Sequence, residues 1–511
     1  MIDLSPYQLD IVINILKNHV PKCEVRAFGS RYKWTAKDYS DLDLVVVGNK
    51  KLDKKIIYDL QESFSESELP IRVDVLDWHA ISDEFKQIIN QGYEVIQKKT
   101  IQLPDDWEVK KILEVGKIIT DKAPSCKNPE YWGSIMDFIT PSYYNNNKKL
   151  GNVARKLSQF GINALSKNII PKNNVMITCI GSDMGKIAIN SNDCLTNQQI
   201  NSIVINLNLA DVDFIYYLMC YNYNKLRNLA SGGTTMPIIN KTTFENIKIN
   251  LPPLATQNQI ASILSVIDEK ININNQINKK LEEIAQAVFK QWFVDFNFPD
   301  ENGTPYKDSG GSMIDSELGK IPKDWSANKI TNIINRENIS YKCDKKDLHN
   351  NGNTCIIDQG KNGLYGFTNR APDFIATYEN PVIVFTNHTC NFWFVDYPFC
   401  AIQNILPFRG RCGYDEYFIY YLTKGSMKCT EYKGYWRNFV AKNFIIPNTM
   451  MANKFSQIAK IILNQISQMN KEIKILQQIL DTLLPKLMSG EIDVNSNRHC
   501  EEQSSVAISQ K

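Results

Sequence analysis

The 511-residue sequence has little of what marks membrane, secreted or zinc-binding proteins. No apolar run is as long as the roughly 18 residues that a membrane span needs, so no membrane segment is predicted. The first twenty residues are amphipathic and carry acids early, which does not fit a signal peptide. None of the 12 cysteines stands in a C-x-x-C pair, so we expect reduced thiols and a cytoplasmic location rather than disulfides or a zinc site.

A strong excess of charge of one sign is also missing, with 58 Lys and Arg against 55 Asp and Glu. Residues 1–100 hold slightly more acids than bases, whereas residues 103–255 and 321–449 hold slightly more bases. Such weakly basic blocks are compatible with a polyanionic partner and do not identify one. The length exceeds what one hydrophobic core supports, so several domains are expected.

Carboxylates gather around one short strand in the first hundred residues. The stretch "SDLDLVVVG" places Asp41 and Asp43 two residues apart at the start of a buried strand, so both point to one face. Two carboxylates that close repel each other, and a divalent cation such as Mg²⁺ removes that cost. Gly29 and Ser30 precede them and could approach a phosphate. "IRVDVLDW" offers Asp74 on a second strand.

This order of Gly-Ser, paired aspartates and a later strand-borne aspartate resembles the minimal nucleotidyltransferases of the polymerase-beta type, over about residues 5–98. The resemblance implies that Gly29 and Ser30 bind nucleotide phosphates. It implies that the three aspartates bind metal and are catalytic, with Asp74 activating the acceptor hydroxyl. The implied cofactors are Mg²⁺ and ATP. A domain that binds nucleotide without turnover, as an antitoxin would, remains an open alternative.

The remainder of the chain repeats one frame twice. "LPDDWEVKKILEVGKII" from residue 103 is echoed by "IPKDWSANKITNIINRE" from residue 321. Each copy continues through a long mixed block to an apolar strand with a proline and then a long helix. The mixed blocks themselves barely match. A duplicated frame with different contents predicts two readers of different targets on a common scaffold.

Both long helices carry apolar residues at spacings of three and four, over residues 260–292 and 455–487. This stripe, sustained for roughly nine turns, predicts coiled-coil pairing. The alternative is that each helix packs as an ordinary amphipathic element on its own domain. Asn274 and Asn278 interrupt the first stripe, as polar residues do where a helix register must be fixed.

Aromatic residues broaden the apolar face at the end of the first helix. The segment "AQAVFKQWFV" contains Phe289, Trp292 and Phe293, which cannot all face one partner helix. Exposed patches of this kind usually mark partner sites. We therefore expect a partner subunit to dock on these three rings.

A second resemblance rests on four segments that follow one another along the chain: "SGGTTMPIINKTTFENIKINLPPL", "FKQWFVDFNFP", "GKIPKDW" and "LLPKLMSGEIDV". They match conserved segments of the DNA specificity subunits of type I restriction–modification systems, over about residues 103–494. The resemblance implies an α+β multidomain fold. A small α/β nucleotidyltransferase domain is followed by two mixed α/β target recognition domains, each followed by a long helix, and the two helices pair as an antiparallel coiled coil.

Together the two resemblances divide the chain into seven parts. These are a nucleotidyltransferase-like domain at 1–100, target recognition domains at 103–255 and 321–449, spacer helices at 256–297 and 450–492, a linker at 298–320 and a disordered tail at 493–511.

The implied function is that of a sequence-specific DNA-binding subunit that reads a bipartite target. Its implied partners are double-stranded DNA, two methyltransferase subunits and restriction or translocase subunits, with no membrane. S-adenosylmethionine and ATP would be used by those partner subunits. The specificity subunit itself is non-catalytic, so only the N-terminal domain could make the chain an enzyme. The alternative is an AMP-transferring enzyme, or an antitoxin-like domain, for which the DNA-reading half provides targeting.

DNA contacts need basic or N–H donors for phosphates and Arg, Lys, Asn, Gln, Ser or Thr at base edges. The sequence alone does not decide which such residues touch DNA, and each candidate could equally be a solvated loop residue. The candidates are Ser231, Thr234, Thr235 and Lys241 in the first recognition domain, and Lys361, Asn362, Arg370, Arg409 and Arg437 in the second.

Overall fold

The computed structural model describes most of the chain: residues 2–37, 40–48, 50–98, 103–120, 123–124, 128–145, 147–181, 183–229, 238–300, 302–349, 352–360 and 363–495. The chain divides into two units, one of Met1–Ser265 with Asp481–Lys511 and one of Val266–Leu480. Within the described ranges, no helix combines the length and the apolar character needed to cross a membrane. The predicted disordered tail lies outside these ranges from residue 496 onward.

The N-terminal domain is a four-stranded sheet with helices. Its strand order is β3-β2-β1-β4, with β2 and β3 parallel and the other pairs antiparallel. Its elements are α1 (Pro6–His19), β1 (Glu24–Phe28), α2 (Gly29–Tyr32), β2 (Leu42–Val47), α3 (Lys54–Ser65), β3 (Val73–Asp77), α4 (Asp83–Asn90) and β4 (Glu94–Gln97).

Strand alternation places the main hydrophobic core of this domain on one face of the sheet and the aspartates on the other. Leu44 on β2 is fully buried and shares a core with Leu16 of α1 and Leu60 of α3. Side chains of neighbouring residues in a strand point to opposite faces, so Asp43 lies on the other face of the sheet. Asp74 stands opposite Asp43 in the parallel register and shares that face.

The first recognition domain consists of short strands and helices and ends in a 40-residue helix. Its 3-10 turns are Pro129–Tyr131, Pro141–Tyr143 and Ser166–Asn168. Its other elements are β5 (Glu108–Lys111), α5 (Ile112–Val115), β6 (Gly116–Thr120), β7 (Trp132–Gly133), β8 (Met136–Ile139), β9 (Lys156–Leu157), α6 (Gln159–Ala164), β10 (Val175–Thr178), β11 (Ile187–Ile189), β12 (Cys194–Thr196), β13 (Ile200–Ile205), α7 (Val212–Tyr221), α8 (Tyr223–Leu229), α9 (Lys241–Glu245), β14 (Lys248–Leu251) and α10 (Leu254–Phe293).

The second recognition domain follows a hairpin and ends in another 40-residue helix. Its 3-10 turns are Ile330–Asn332 and Lys345–Asp347. Its other elements, with the hairpin first, are β15 (Met313–Ser316), β16 (Gly319–Pro322), β17 (Ser326–Lys329), β18 (Ile334–Arg336), β19 (Lys342–Cys343), β20 (Thr354–Ile357), β21 (Leu364–Thr368), β22 (Val382–Thr386), β23 (Phe392–Val395), β24 (Phe399–Ile402), β25 (Ile405–Gly410), α11 (Glu416–Thr423), α12 (Trp436–Ala441), β26 (Asn443–Ile446) and α13 (Thr449–Met488).

The two recognition domains share one sheet topology. An antiparallel sheet runs β11-β10-β13-β6 in the first and β23-β22-β25-β18 in the second. A second sheet contains a parallel pair followed by an antiparallel one, β12-β8-β9 in the first and β24-β20-β21 in the second. A two-stranded closing sheet pairs β14 with β5 and β26 with β17. The predicted duplication therefore extends through the mixed blocks that barely match in sequence.

The long helices α10 and α13 pack antiparallel, as predicted. The side-chain Nδ2 of Asn274 donates to Glu472 Oε2 at 2.8 Å, and Nδ2 of Asn278 donates to Asn470 Oδ1 at 2.9 Å. Later along α10, Phe289 meets Phe455 near the start of α13, with ring centroids 5.4 Å apart. The two predicted polar positions therefore lie at the contact between the helices.

The expectation of an exposed aromatic patch on α10 is wrong. Phe293 is buried, and Phe289 and Trp292 are partly buried against the same hydrophobic cluster. The rings of Phe418 on α11 and Phe455 on α13 lie against Phe293, with centroids 5.1 and 5.4 Å away. The second recognition domain and its own helix thus supply the apolar surface that covers this face.

Each P-x-D-W opening packs beside the end of a long helix. Trp325 lies against Phe293 and Phe298, with ring centroids 5.5 and 5.1 Å away. Gly490, just after α13, approaches Pro104 so closely that a Cβ on the glycine would lie 2.5 Å from Pro104 Cδ. The φ of Gly490 is +74°, which also favours glycine. The segment "LMSG" therefore needs its glycine for this packing.

Candidate functional site

Two parallel strands bring the N-terminal carboxylates together. Asp43 of β2 stands opposite Asp74 of β3 in the sheet register, and Asp41 lies just before β2. Leu42 and Leu44 are fully buried on the opposite face and fix the direction in which Asp43 points. The predicted juxtaposition of Asp43 and Asp74 is thus a consequence of strand alternation and register.

The surroundings of Asp43 disfavour its charged form. Partial burial raises the pKa of this carboxyl, and the negative charges of Asp74 and then Asp41 raise it further. Desolvation and the neighbouring like charges both make a negative charge on Asp43 costly. A cation placed at this cluster would relieve that cost.

Gly29 lies directly beside the carboxylate of Asp43. Its φ is +77°, and a Cβ at this position would lie 2.1 Å from Asp43 Oδ2. Any other residue would therefore collide with the carboxylate as well as strain the backbone. Ser30 follows on α2 and is partly exposed. The structure places Gly29, the first residue of the predicted phosphate-binding pair, directly next to Asp43.

Arg31 contacts the residue just before the aspartates, and it is not among the residues predicted from the sequence. Its buried guanidinium donates from Nε and Nη2 to the Ser40 carbonyl at 3.0 and 2.7 Å. Nη1 donates to the Asp3 carbonyl at 3.0 Å. Ser40 immediately precedes Asp41, so Arg31 positions the first carboxylate. The available signal was an arginine directly after the Gly-Ser pair.

Asp74 has a basic partner of its own. Arg72 Nη2 lies 3.0 Å from Asp74 Oδ1, with both side chains largely exposed. Among the described residues, no three His, Cys, Asp or Glu side chains are grouped so that they could hold a metal ion. The three aspartates form a cluster of charge, and their ligation of a metal remains a prediction.

The predicted DNA contacts fall into three groups. Ser231, Thr234, Thr235, Lys361 and Asn362 lie outside the described residues.

Lys241 and Arg409 have acidic partners within their own domains. Lys241 begins α9 and lies 3.7 Å from Glu245. Arg409 is held by Glu337 at 2.8 Å and by the Pro381 carbonyl at 2.6 Å. These contacts occupy Nε and Nη1 of Arg409 within its own domain.

Arg370 and Arg437 are exposed. The Arg370 guanidinium lies over the ring of Tyr341, 3.6 Å from the ring centroid, and Arg437 lies on α12. Both are accessible to a polyanion, although they belong to different elements of the second domain.

Two family models match the chain. The model "Type I restriction modification DNA specificity domain" matches residues 104–283, and "Polymerase beta, Nucleotidyltransferase" matches residues 11–101.

Relatives divide the chain in the same way. The chain is 27% identical over 420 residues to the type I restriction enzyme MjaIX specificity subunit of Methanocaldococcus jannaschii, covering 77% of this chain and 95% of the relative. It is 48% identical over 105 residues to the probable protein adenylyltransferase MntA of Haemophilus influenzae, covering 20% of this chain and 92% of the relative.

A solved structure agrees on the fold. The S subunit of a type I restriction–modification system from M. genitalium aligns with a TM-score of 0.50 at 16% identity, covering 76% of this chain and 97% of that chain. At this identity the likeness shows the fold alone. The chain therefore carries a type I restriction modification DNA specificity domain over residues 104–283 and has type I specificity subunits among its relatives, and its first hundred residues form a MntA-like nucleotidyltransferase domain.

Proposed function

We propose that this chain selects the DNA target of a type I restriction–modification complex by reading two unlike half-sites. One observation carries the proposal: two domains of the same strand order differ in their loops, and each is followed by one of two antiparallel helices. Identical frames with different loops suit two different sequences. The proposed domain limits are those given above, with recognition domains at 103–255 and 321–449.

The paired helices would set the distance between the half-sites. Removing one heptad from each helix around the Asn274–Glu472 contact shortens the pair by about 10 Å, at 1.5 Å per residue. At 3.4 Å per base pair this is about three base pairs. Methylation mapping in a strain with the complete system should show a bipartite target whose gap shrinks in the deletion variant. A single contiguous target, or an unchanged gap, would contradict the proposal.

Two methyltransferase subunits would dock on the helices at sites other than the buried aromatic rings. Ile273, Ile277 and Ile284 recur on one face of α10 at spacings of four and seven residues, and all are at least 36% exposed. α13 carries a similar row at Ile461, Ile475 and Ile479. Exposed apolar stripes of this kind mark protein interfaces.

The docking proposal has a direct test. The double variant Ile273→Glu/Ile277→Glu should lose co-purification with the methyltransferase, whereas Lys279→Glu on the same helix should retain it. Equal recovery of the methyltransferase with both variants would refute the assignment. S-adenosylmethionine and ATP would be consumed by the methyltransferase and restriction subunits, so none of these variants should change a catalytic step of this chain itself.

A second function is favoured by the carboxylate cluster beside Gly29. The all-oxygen donor set and the raised pKa of Asp43 fit a hard divalent cation, so Asp41 and Asp43 would hold Mg²⁺ with Asp74. When bound, the cation would offset the negative charge of the ATP phosphates. Gly29 and Ser30 would bind those phosphates through backbone N–H and hydroxyl groups.

The proposed reaction is transfer of AMP from ATP to a hydroxyl. Asp74 would take the hydroxyl proton, the oxygen would bond to the α-phosphorus, and pyrophosphate would leave. The relative named as a protein adenylyltransferase supports AMP as the group and a protein as the acceptor. The competing possibility is an antitoxin-like domain that binds ATP without transfer.

Incubation of the full chain with Mg²⁺, labelled ATP and candidate acceptors separates these possibilities. Label should move to an acceptor with the native chain and not with Asp41→Asn/Asp43→Asn. ATP binding without transfer would favour the binding role. Absence of metal-dependent ATP binding would contradict both.

A further inference from the structure

Within each recognition domain, taken by itself, three corresponding loops lie together at one edge of the domain. In the first domain these are the loops that follow β8, β10 and β12, and in the second the loops that follow β20, β22 and β24. In each domain a residue just before a short helix also contacts this edge. The helix is α9 in the first domain and α12 in the second. Ile238 bridges to Ile180 in the first domain, and the Tyr435 N–H donates to the Asn387 carbonyl at 2.9 Å in the second.

In the first domain this edge is an open cleft of about 460 Å³ with both polar and apolar lining residues. Two amides form one wall: Asn197 Nδ2 donates to Gln199 Oε1 at 2.8 Å, and the Gln199 backbone N–H donates to Asn197 Oδ1 at 3.1 Å. Thr140 and Ser142 line the cleft from the loop after β8. Within the described part of the chain, Gln199 Nε2 has no hydrogen-bond partner, so this amide offers its donors to a ligand.

In the second domain the described part of the same edge carries a stacked aromatic pair. The His388 N–H donates to Gln359 Oε1 at 2.9 Å, which ties the loop after β22 to the loop after β20. The ring of His388 stacks on that of Tyr432, with centroids 4.7 Å apart and planes 14° from parallel. Tyr432 is 88% exposed.

Hydrogen bonds hold His388 and the residues that flank Tyr432. The His388 Nδ1 lies 2.9 Å from the Lys433 carbonyl, which fixes the ring and leaves Nε2 as the other polar atom. Trp436 N–H donates to Asn387 Oδ1 at 2.9 Å, and Tyr435 receives two backbone N–H bonds on its hydroxyl, from residues 430 and 431. The exposed Tyr432 ring therefore stacks on a histidine whose backbone N–H and ring Nδ1 both have hydrogen-bond partners.

We propose that this edge is the DNA-reading face of both domains, and that Asn197–Gln199 and His388–Tyr432 contact bases of the first and second half-site respectively. The proposal rests on the proposed DNA-reading function and assigns its chemistry. A glutamine or asparagine amide matches the N6 and N7 groups of adenine in the major groove. An exposed ring stacked on a histidine offers an apolar plane for a thymine methyl group or a partly opened base step.

The test is methylation mapping with the complete complex and single variants. Gln199→Ala should weaken discrimination at one or two positions of the first half-site by about tenfold, the range of one good base contact, and leave the second unchanged. Tyr432→Ala and His388→Ala should do the same at the second half-site only. Tyr397→Ala, an exposed tyrosine between β23 and β24, is the matched control and should change neither.

The outcomes are separable. Unchanged discrimination with both Gln199→Ala and Tyr432→Ala, while the native complex still methylates a bipartite site, would overturn the assigned edge and leave the DNA-reading function intact. Equal loss at both half-sites from a single variant would also overturn it. Absence of bipartite methylation by the native complex would overturn the function and the edge together.

Discussion

The two recognition domains are most alike on one helix and least alike at their loops. α7 lies in the sequence "DVDFIYYL" and α11 in "DEYFIYYL". Asp211 and Asp415 cap these helices by accepting from the backbone N–H of Phe214 and Phe418, at 2.8 and 3.1 Å. Both phenylalanines are fully buried. At the reading edge, by contrast, one domain has an open amide-lined cleft and the other a stacked aromatic pair.

The difference shows which parts of a recognition domain are constrained. Buried positions on a shared frame must keep their volume, because a cavity or an overpacked core is costly. Loop residues at the edge do not fill the core, so their side chains can differ in chemical type while the sheets stay the same. Two targets can therefore be read by one frame, provided that the frame residues are kept in both copies.

The largest expected effect comes from breaking the shared helix core. Phe214→Ala in the first domain and Phe418→Ala in the second should each lower the free energy of unfolding by about 3–5 kcal/mol. Hydrogen exchange resolved by peptide should show faster opening only in the domain that carries the change. Equal opening of both domains by one variant would show that the two copies are not independent.

Removal of a lysine ammonium tests whether a lysine ion pair stabilises each recognition domain to the same extent. Lys148 Nζ lies 2.9 Å from Asp213 and over the Tyr217 ring, and Lys424 Nζ lies 2.6 Å from Glu282 and over the Tyr420 ring.

Lys148→Met and Lys424→Met should each cost about 1–3 kcal/mol in denaturant unfolding, because a partly buried carboxylate loses its hydrogen-bonded partner. Lys279→Met on the exposed face of α10 should cost far less. A lower free energy of unfolding for only one of the two variants would show that the two lysine ion pairs are not equivalent.

A polar position in the helix pair should affect specificity more than stability. Asn274 is fully buried, and its Oδ1 has no partner among the described residues. Asn274→Leu should change the free energy of unfolding by no more than about 1 kcal/mol, because added apolar contact offsets the lost bond to Glu472. The gap between half-sites should become heterogeneous in methylation maps, because the helix register is less strictly fixed. A single, unchanged gap would show that Asn274 does not fix the register of the two helices.

The smallest effect is expected outside the duplicated frame. The pKa of Asp43 is raised in the fold, so its contribution favours folding below the usual Asp pKa and is lost as pH rises through the raised value. Asp43→Asn should therefore slightly stabilise the N-terminal domain at neutral pH, with the advantage vanishing in acid. The substitution should not alter reading of either half-site, and a change there would couple this domain to the recognition domains.

Motifs with short-range geometry were predictable from the sequence, and long-range packing was not. Strand alternation places Asp43 and Asp74 on one face, and the repeated ends predict two domains and two helices. The burial of Phe293 was not predictable, because its covering rings Phe418 and Phe455 lie far away in sequence.

The common topology of the mixed blocks was also missed. Its determinants are buried positions such as those of β10 and β22, which keep apolar character without keeping identity. The reading edge was missed for the same reason, because its loops come together only after the strands have paired. The candidates Lys361 and Asn362 lie outside the described residues, so their role stays a prediction.

Replacement of the second recognition domain by a copy of the first is the most direct test of the central claim that each domain reads one half-site by itself. Residues 103–255 would be inserted in place of residues 321–449, with both long helices left intact. Methylation mapping of the complete system should then show a target made of two copies of the first half-site with the original gap. Retention of the original unlike half-sites would contradict the claim.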